Sequence, residues 1–187
     1  GVLAKAIAMN SHPRKLLATD LPHRVEELQN VLHGVAATDA AALSWGDADA
    51  VHALCKKHFG TTHADVVIIS DCLYTNWVED SAAALAVTLH AALGRAADGT
   101  CLAKQVSSIA FLAYLPRCNP LEDHFFDCVK DLSLNSSPLP LPDVYILKAF
   151  DEARDFTEEE LRSVKLMEIS GPLISRKTLG LPNLRSR

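Results

Sequence analysis

No stretch of apolar residues in this chain approaches the roughly 18 needed to cross a bilayer, so no membrane span is expected. No basic-then-apolar segment of the secretory kind opens it, and no C-x-x-C pair occurs. The five cysteines (Cys55, Cys72, Cys101, Cys118 and Cys128) are odd in number and irregularly spaced. That pattern points to reduced thiols rather than a disulfide framework, and so to the cytoplasm, with the nucleus or an organelle matrix as the other reducing settings. Metal-ligand spacing is missing as well: the eight histidines are scattered, and His58 and His63 merely flank a Gly-Thr-Thr loop. Repeats and low-complexity tracts are absent. There is no surplus of positive charge either, and a net charge of -5 argues against a general nucleic-acid binder. Arg176, Lys177, Arg185 and Arg187 form a weak basic cluster that reads as a solvated tail.

What the chain has is the composition of an ordinary globular domain, 49% apolar and 22% charged over 187 residues. Its most informative stretch covers residues 64–74, where Val66-Val67-Ile68-Ile69 runs without a break into Ser70-Asp71, with Tyr74 three places further on. A continuous Val/Ile run predicts a strand buried on both faces, as in parallel sheets. An acid at its end falls at the carboxyl edge of the sheet, where open α/β folds bind ligands. The alternative for Asp71 is a helix N-cap, since a helical pattern follows.

The rest of the chain alternates in kind. A helix is expected over 2–9, a short strand over 15–19, and a helix carrying Val25, Leu28, Leu32 and Val35. A strand over 41–45 and a helix over 48–58 come next, the latter ending at Gly60. Beyond the strand at 65–70, the stripe Val78, Ala82, Leu85, Leu89 and Leu93 forms a helix closed by Gly94. A strand over 109–115, a helix over 121–132, a stiff proline-rich loop over 138–142 and a last strand over 144–150 complete the pattern. Thr157 and Glu160 form a capping box for a short helix reaching 164 or 165. This order predicts an α/β, Rossmann-like, doubly wound and mostly parallel sheet with helices on both faces. The expected domain spans 1–170, with 171–187 as a tail.

Candidate site residues follow from that frame. Asp20, then Trp45-Gly46-Asp47, then Ser70-Asp71 with Tyr74, fall at the carboxyl ends of three successive strands. A carboxylate offers only acceptors, which suits the two donors of a ribose diol, and an aromatic one strand on can cover an adenine face. Each element alone has a plainer explanation. Asp20 can be a turn residue before Pro22, Trp45 can belong to the core, and Tyr74 can pack beneath the following helix.

The segments 18–22 (ATDLP), 42–47 (ALSWGD) and 69–74 (ISDCLY) together resemble class I, seven-strand methyltransferases. More narrowly, they are similar to the methyltransferase-like protein-lysine methyltransferase family. Residues 112–117 (LAYLPR), Glu122 and Phe125-Phe126 also resemble that family's fifth strand and following helix, so the similarity covers about residues 1–132. It implies S-adenosylmethionine as cofactor and a lysine side chain of a protein substrate as acceptor. Under that resemblance Asp20 holds the ribose, Trp45 lines the adenine site, and Ser70 and Asp71 border the methionine end. Asp71 and Tyr74 engage the substrate lysine, which must be neutral to attack and depends mainly on positioning.

The family's glycine-rich acid-x-Gly-x-Gly loop is not found in these residues, and Gly1 would match at most its last glycine. The first strand belongs mid-sheet, beside the strand ending in Asp71. A sheet without it is expected to have a gap, filled by a preceding segment or by another chain. Residues 101–108 resemble an insertion that contacts a partner. Two further readings stay open: a methyltransferase-like but inactive subunit of a larger complex, and a dinucleotide-dependent oxidoreductase using Asp20 for ribose.

Overall fold

The computed structural model describes residues 1–73, 80–94, 108–117, 119–141 and 157–171. Tyr74, Val78, Cys101, Cys118, residues 101–107, the strand expected over 144–150 and the chain beyond 171, with its basic cluster, lie outside the described residues. The elements are α1 (Val2–Ser11), β1 (Leu16–Asp20), a 3-10 turn (Pro22–Arg24) and α2 (Val25–Leu32). They continue with β2 (Thr38–Ala42), α3 (Ala48–Phe59), β3 (Val66–Ser70) and α4 (Asp80–Ala92). The last are β4 (Ile109–Tyr114), α5 (Asn119–Asp131), β5 (Asn135–Leu139), α6 (Glu158–Ser163) and β6 (Lys165–Ser170).

The strands form two groups. β1 and β2 make a parallel pair, while β3, β4, β6 and β5 make a four-stranded sheet in that order. β3 and β4 are parallel, and β6 is antiparallel to both of its neighbours. Gly46, just ahead of α3, donates its N–H to Thr88 of α4 at 2.8 Å, and further along Val51 and Cys55 pack with Ala91. Thus α3 and α4 lie side by side and run the same way, which aligns β2 with β3. Two parallel β-α-β units, β1–α2–β2 and β3–α4–β4, follow one another in the manner of a Rossmann-like α/β fold.

The main core lies between α4, α5 and one face of the four-stranded sheet. Leu73, Leu89, Leu93, Leu112, Phe125, Val129 and Ile169 are its fully buried large side chains. Strand β4 shows why: Ala110, Leu112 and Tyr114 point inward while Ile109, Phe111 and Ala113 are only half-covered. Gly94 closes α4 at φ 75°, where a Cβ would meet that of His63 at 2.9 Å. Only glycine fits that close approach.

Several expectations are corrected. β3 is not buried on both faces: Val66 is 52% and Ile68 45% exposed, because β3 is an edge strand among the described residues and one of its faces is uncovered. Among the described residues β1 and β3 share no ladder. β2 starts three residues earlier than the apolar pattern suggested, at Thr38. The proline-rich segment contributes an edge strand, β5, whose Pro138 pairs opposite Met167. The helix capped by Thr157 stops at Ser163, and Lys165–Ser170 is a strand.

Candidate functional site

Asp20 is the last residue of β1 and is exposed. Its Oδ1 accepts the N–H of Leu21 at 2.8 Å, and its backbone carbonyl accepts from Leu43 at 2.9 Å, continuing the ladder towards the loop after β2. The second carboxylate oxygen has no partner among the described residues. Trp45 sits in that loop, partly buried and packed against the main core. The core reading of Trp45 therefore holds for the part of the side chain packed there. Asp47 caps α3 by accepting the Ala50 N–H at 2.8 Å, a structural task.

Asp71 follows β3 directly. Its N–H donates to the Ala113 carbonyl at 2.8 Å, carrying the β3–β4 pairing one step past the strand. The backbone then turns through φ 50°, a left-handed conformation that aspartate tolerates better than most residues. α4 starts only at Asp80, so Asp71 is not its N-cap. The side chain instead meets Arg117, three residues past β4. Both Nη1 and Nη2 donate to Oδ2 at 3.1 Å, and Nη1 lies 3.0 Å from Oδ1. Arg117 is held from below, its backbone N–H donating to Glu122 Oε1 at 3.0 Å. Glu122 stands in the first turn of α5 and is 4% exposed.

Cys72 follows Asp71 in the chain. Its Sγ lies 3.3 Å from the Ser70 carbonyl, and burial pushes its thiol up to about 11, with the Asp71 and Asp20 carboxylates adding in the same direction. That thiol is protonated at neutral pH and is not a nucleophile. Ser70 is exposed beside Asp71.

Asp20 thus ends β1, Ser70 ends β3 with Asp71 next to it, and Trp45 lies on the loop after β2. Tyr74 lies outside the described residues. Sequence reasoning missed the roles of Arg117 and Glu122. Their signal was modest: an arginine just past a strand and an acid in the next helix's first turn. Among the described residues no group of three or more His, Cys, Asp or Glu side chains has the arrangement of a metal site. No helix there is long and apolar enough to cross a membrane.

No protein-family model matches the chain, and no curated protein matches its sequence. Among solved structures it is similar to the CurJ carbon methyltransferase, at a TM-score of 0.43 and 11% identity over 84% of this chain. The match spans 42% of that protein, less than half its length. A likeness this loose assigns neither fold nor activity, and the reading of the site rests on its own geometry.

Proposed function

We propose that the chain carries the main part of an S-adenosylmethionine-dependent methyltransferase site acting on a lysine side chain of a protein. The observation that supports this reading is the Asp71 carboxylate, held by Arg117 directly after the carboxyl end of β3, with Asp20 at the carboxyl end of β1. The residues suit the cofactor in kind. Asp20 presents an exposed, acceptor-only carboxylate for ribose hydroxyls, and Trp45 offers an aromatic edge for adenine. When bound, S-adenosylmethionine would supply the electrophilic methyl group.

The protein's own work is positioning. Arg117 engages Oδ2 of Asp71 twice and Oδ1 once, so the carboxylate is oriented and part of Oδ1 stays open to an incoming N–H donor. Because the pair is neutral overall, it attracts a cationic ammonium less than a lone carboxylate would, which favours the neutral amine needed for attack. Tyr74 would complete the amine's hydrogen bonds.

A second reading has its own support. The same Arg117 contact occupies Asp71, as an inactive, methyltransferase-like subunit of a larger complex would allow. Incubation with methyl-labelled S-adenosylmethionine and lysate protein separates the two. Label on lysine Nζ is expected, falling about 100-fold in Asp71→Asn, which keeps the left-handed backbone. Label on another atom, no label, or undiminished transfer by Asp71→Asn contradicts the proposal.

A further inference from the structure

A second cluster of charge lies on the far side of Glu122 from Arg117. A cavity of about 560 Å³ opens there, lined by Tyr114, Glu122, Asp123, Phe126, Lys165 and Met167 among others. Its floor is aromatic: the Tyr114 and Phe126 rings stand 6.1 Å apart at 50°. Its wall is acidic, with Glu122 buried and Asp123 exposed. Tyr114 feels both acids, since burial and then the Glu122 and Asp123 carboxylates push its phenol up to about 12. At physiological pH it is a neutral ring with an electron-rich face.

The chain already places a cation in this cavity. Lys165 Nζ lies 5.8 Å from the centre of the Tyr114 ring and 4.0 Å from Glu122 Oε2. The ring distance falls within the cation–π range, and the acid distance is at the limit of an ion pair. The Lys165 side chain is 53% exposed and stands at the first residue of β6, so little packing holds it in place. Among the described residues two acids and one lysine line the cavity.

We infer that this cavity seats the ammonium group of a lysine from a partner protein, with Lys165 as an internal cation that the incoming lysine displaces. An aromatic face, a thioether and a buried carboxylate suit an alkylammonium: the methylenes lie on Tyr114, Phe126 and Met167 while the charge meets Glu122 and Asp123. This seat is separate from Asp71 and requires neither cofactor nor methyl transfer. It would hold a second basic residue of a bound segment.

The test is an NMR titration of the protein with n-butylammonium chloride, following the Tyr114 and Phe126 ring signals, with n-butanol as the neutral control. Saturable shifts with the ammonium and weaker ones with the alcohol are expected. In Lys165→Ala the probe should bind about five-fold tighter, because the competing cation is gone. Lys165→Gln, which keeps the stem and removes the charge, should do the same if the alanine variant folds poorly. Unchanged or weaker binding in the folded variant, or equal shifts with n-butanol, would overturn the inference. Because the readout is ring shifts, a failed methyl-transfer assay leaves this result standing.

Discussion

At the scale of single residues, the site depends on a relay from a buried acid to an exposed one. Glu122 accepts the backbone N–H of Arg117, and the Arg117 guanidinium then fixes Asp71. The outer contact is an exposed ion pair, worth little to stability in itself. The inner contact differs, because a buried acceptor that is lost leaves a donor unpaired. Glu122→Leu should therefore lower unfolding free energy by about 1–3 kcal/mol, read from the urea midpoint, with Glu122→Gln costing less because its amide oxygen still accepts. Equal stability of Glu122→Leu and the wild type would contradict the relay. Asp71 was legible in the sequence because a strand ending in Ser-Asp marks a sheet edge. Arg117 was not, because its partner lies 46 residues away and only the β3–β4 pairing brings them together.

At the scale of elements, what could be read and what could not follows from who supplies the stabilisation. The helices announced themselves through their own sequence: Thr157 and Glu160 form the full capping box, and Gly60 and Gly94 end α3 and α4. Strands β2, β5 and β6 drew on their neighbours instead. Thr38–Ala42 is mostly alanine, and Asn135–Leu139 is polar and contains Pro138. Lys165–Ser170 opens with Lys, Leu, Met and Glu, all good helix formers, and becomes a strand because β4 and β5 flank it.

A similar dependence ties β1, β2 and α3 together through one acid. Asp39 of β2 meets Lys15 Nζ at 2.7 Å and His58 Nδ1 at 2.9 Å, and these contacts, Lys15 first, hold its carboxyl below the usual 3.8. A lowered folded-state pKa contributes stability above the unfolded value and loses it as pH falls through the folded one. The melting-temperature gap between wild type and Asp39→Asn should thus be full at neutral pH and close below about pH 3.8. A gap independent of pH would contradict the triad.

At the scale of the whole molecule, the sheet is divided. Among the described residues β1–β2 shares no ladder with β3–β4–β6–β5, and β3 exposes Val66 and Ile68. The absence of an acid-x-Gly-x-Gly loop from these residues hinted at this division, but the exposure of β3 is a property of the assembled sheet, invisible in a run of Val and Ile that looks fully buried. The proposed cofactor site uses one acid from each group of strands, Asp20 after β1 and Asp71 after β3. The most direct test is calorimetric titration of the protein with S-adenosylhomocysteine. Micromolar binding is expected, weakened about ten-fold or more in Asp20→Ala, as for loss of a charged hydrogen-bond acceptor. No heat at high micromolar ligand, or full affinity in Asp20→Ala, would contradict a nucleoside cofactor site at this edge.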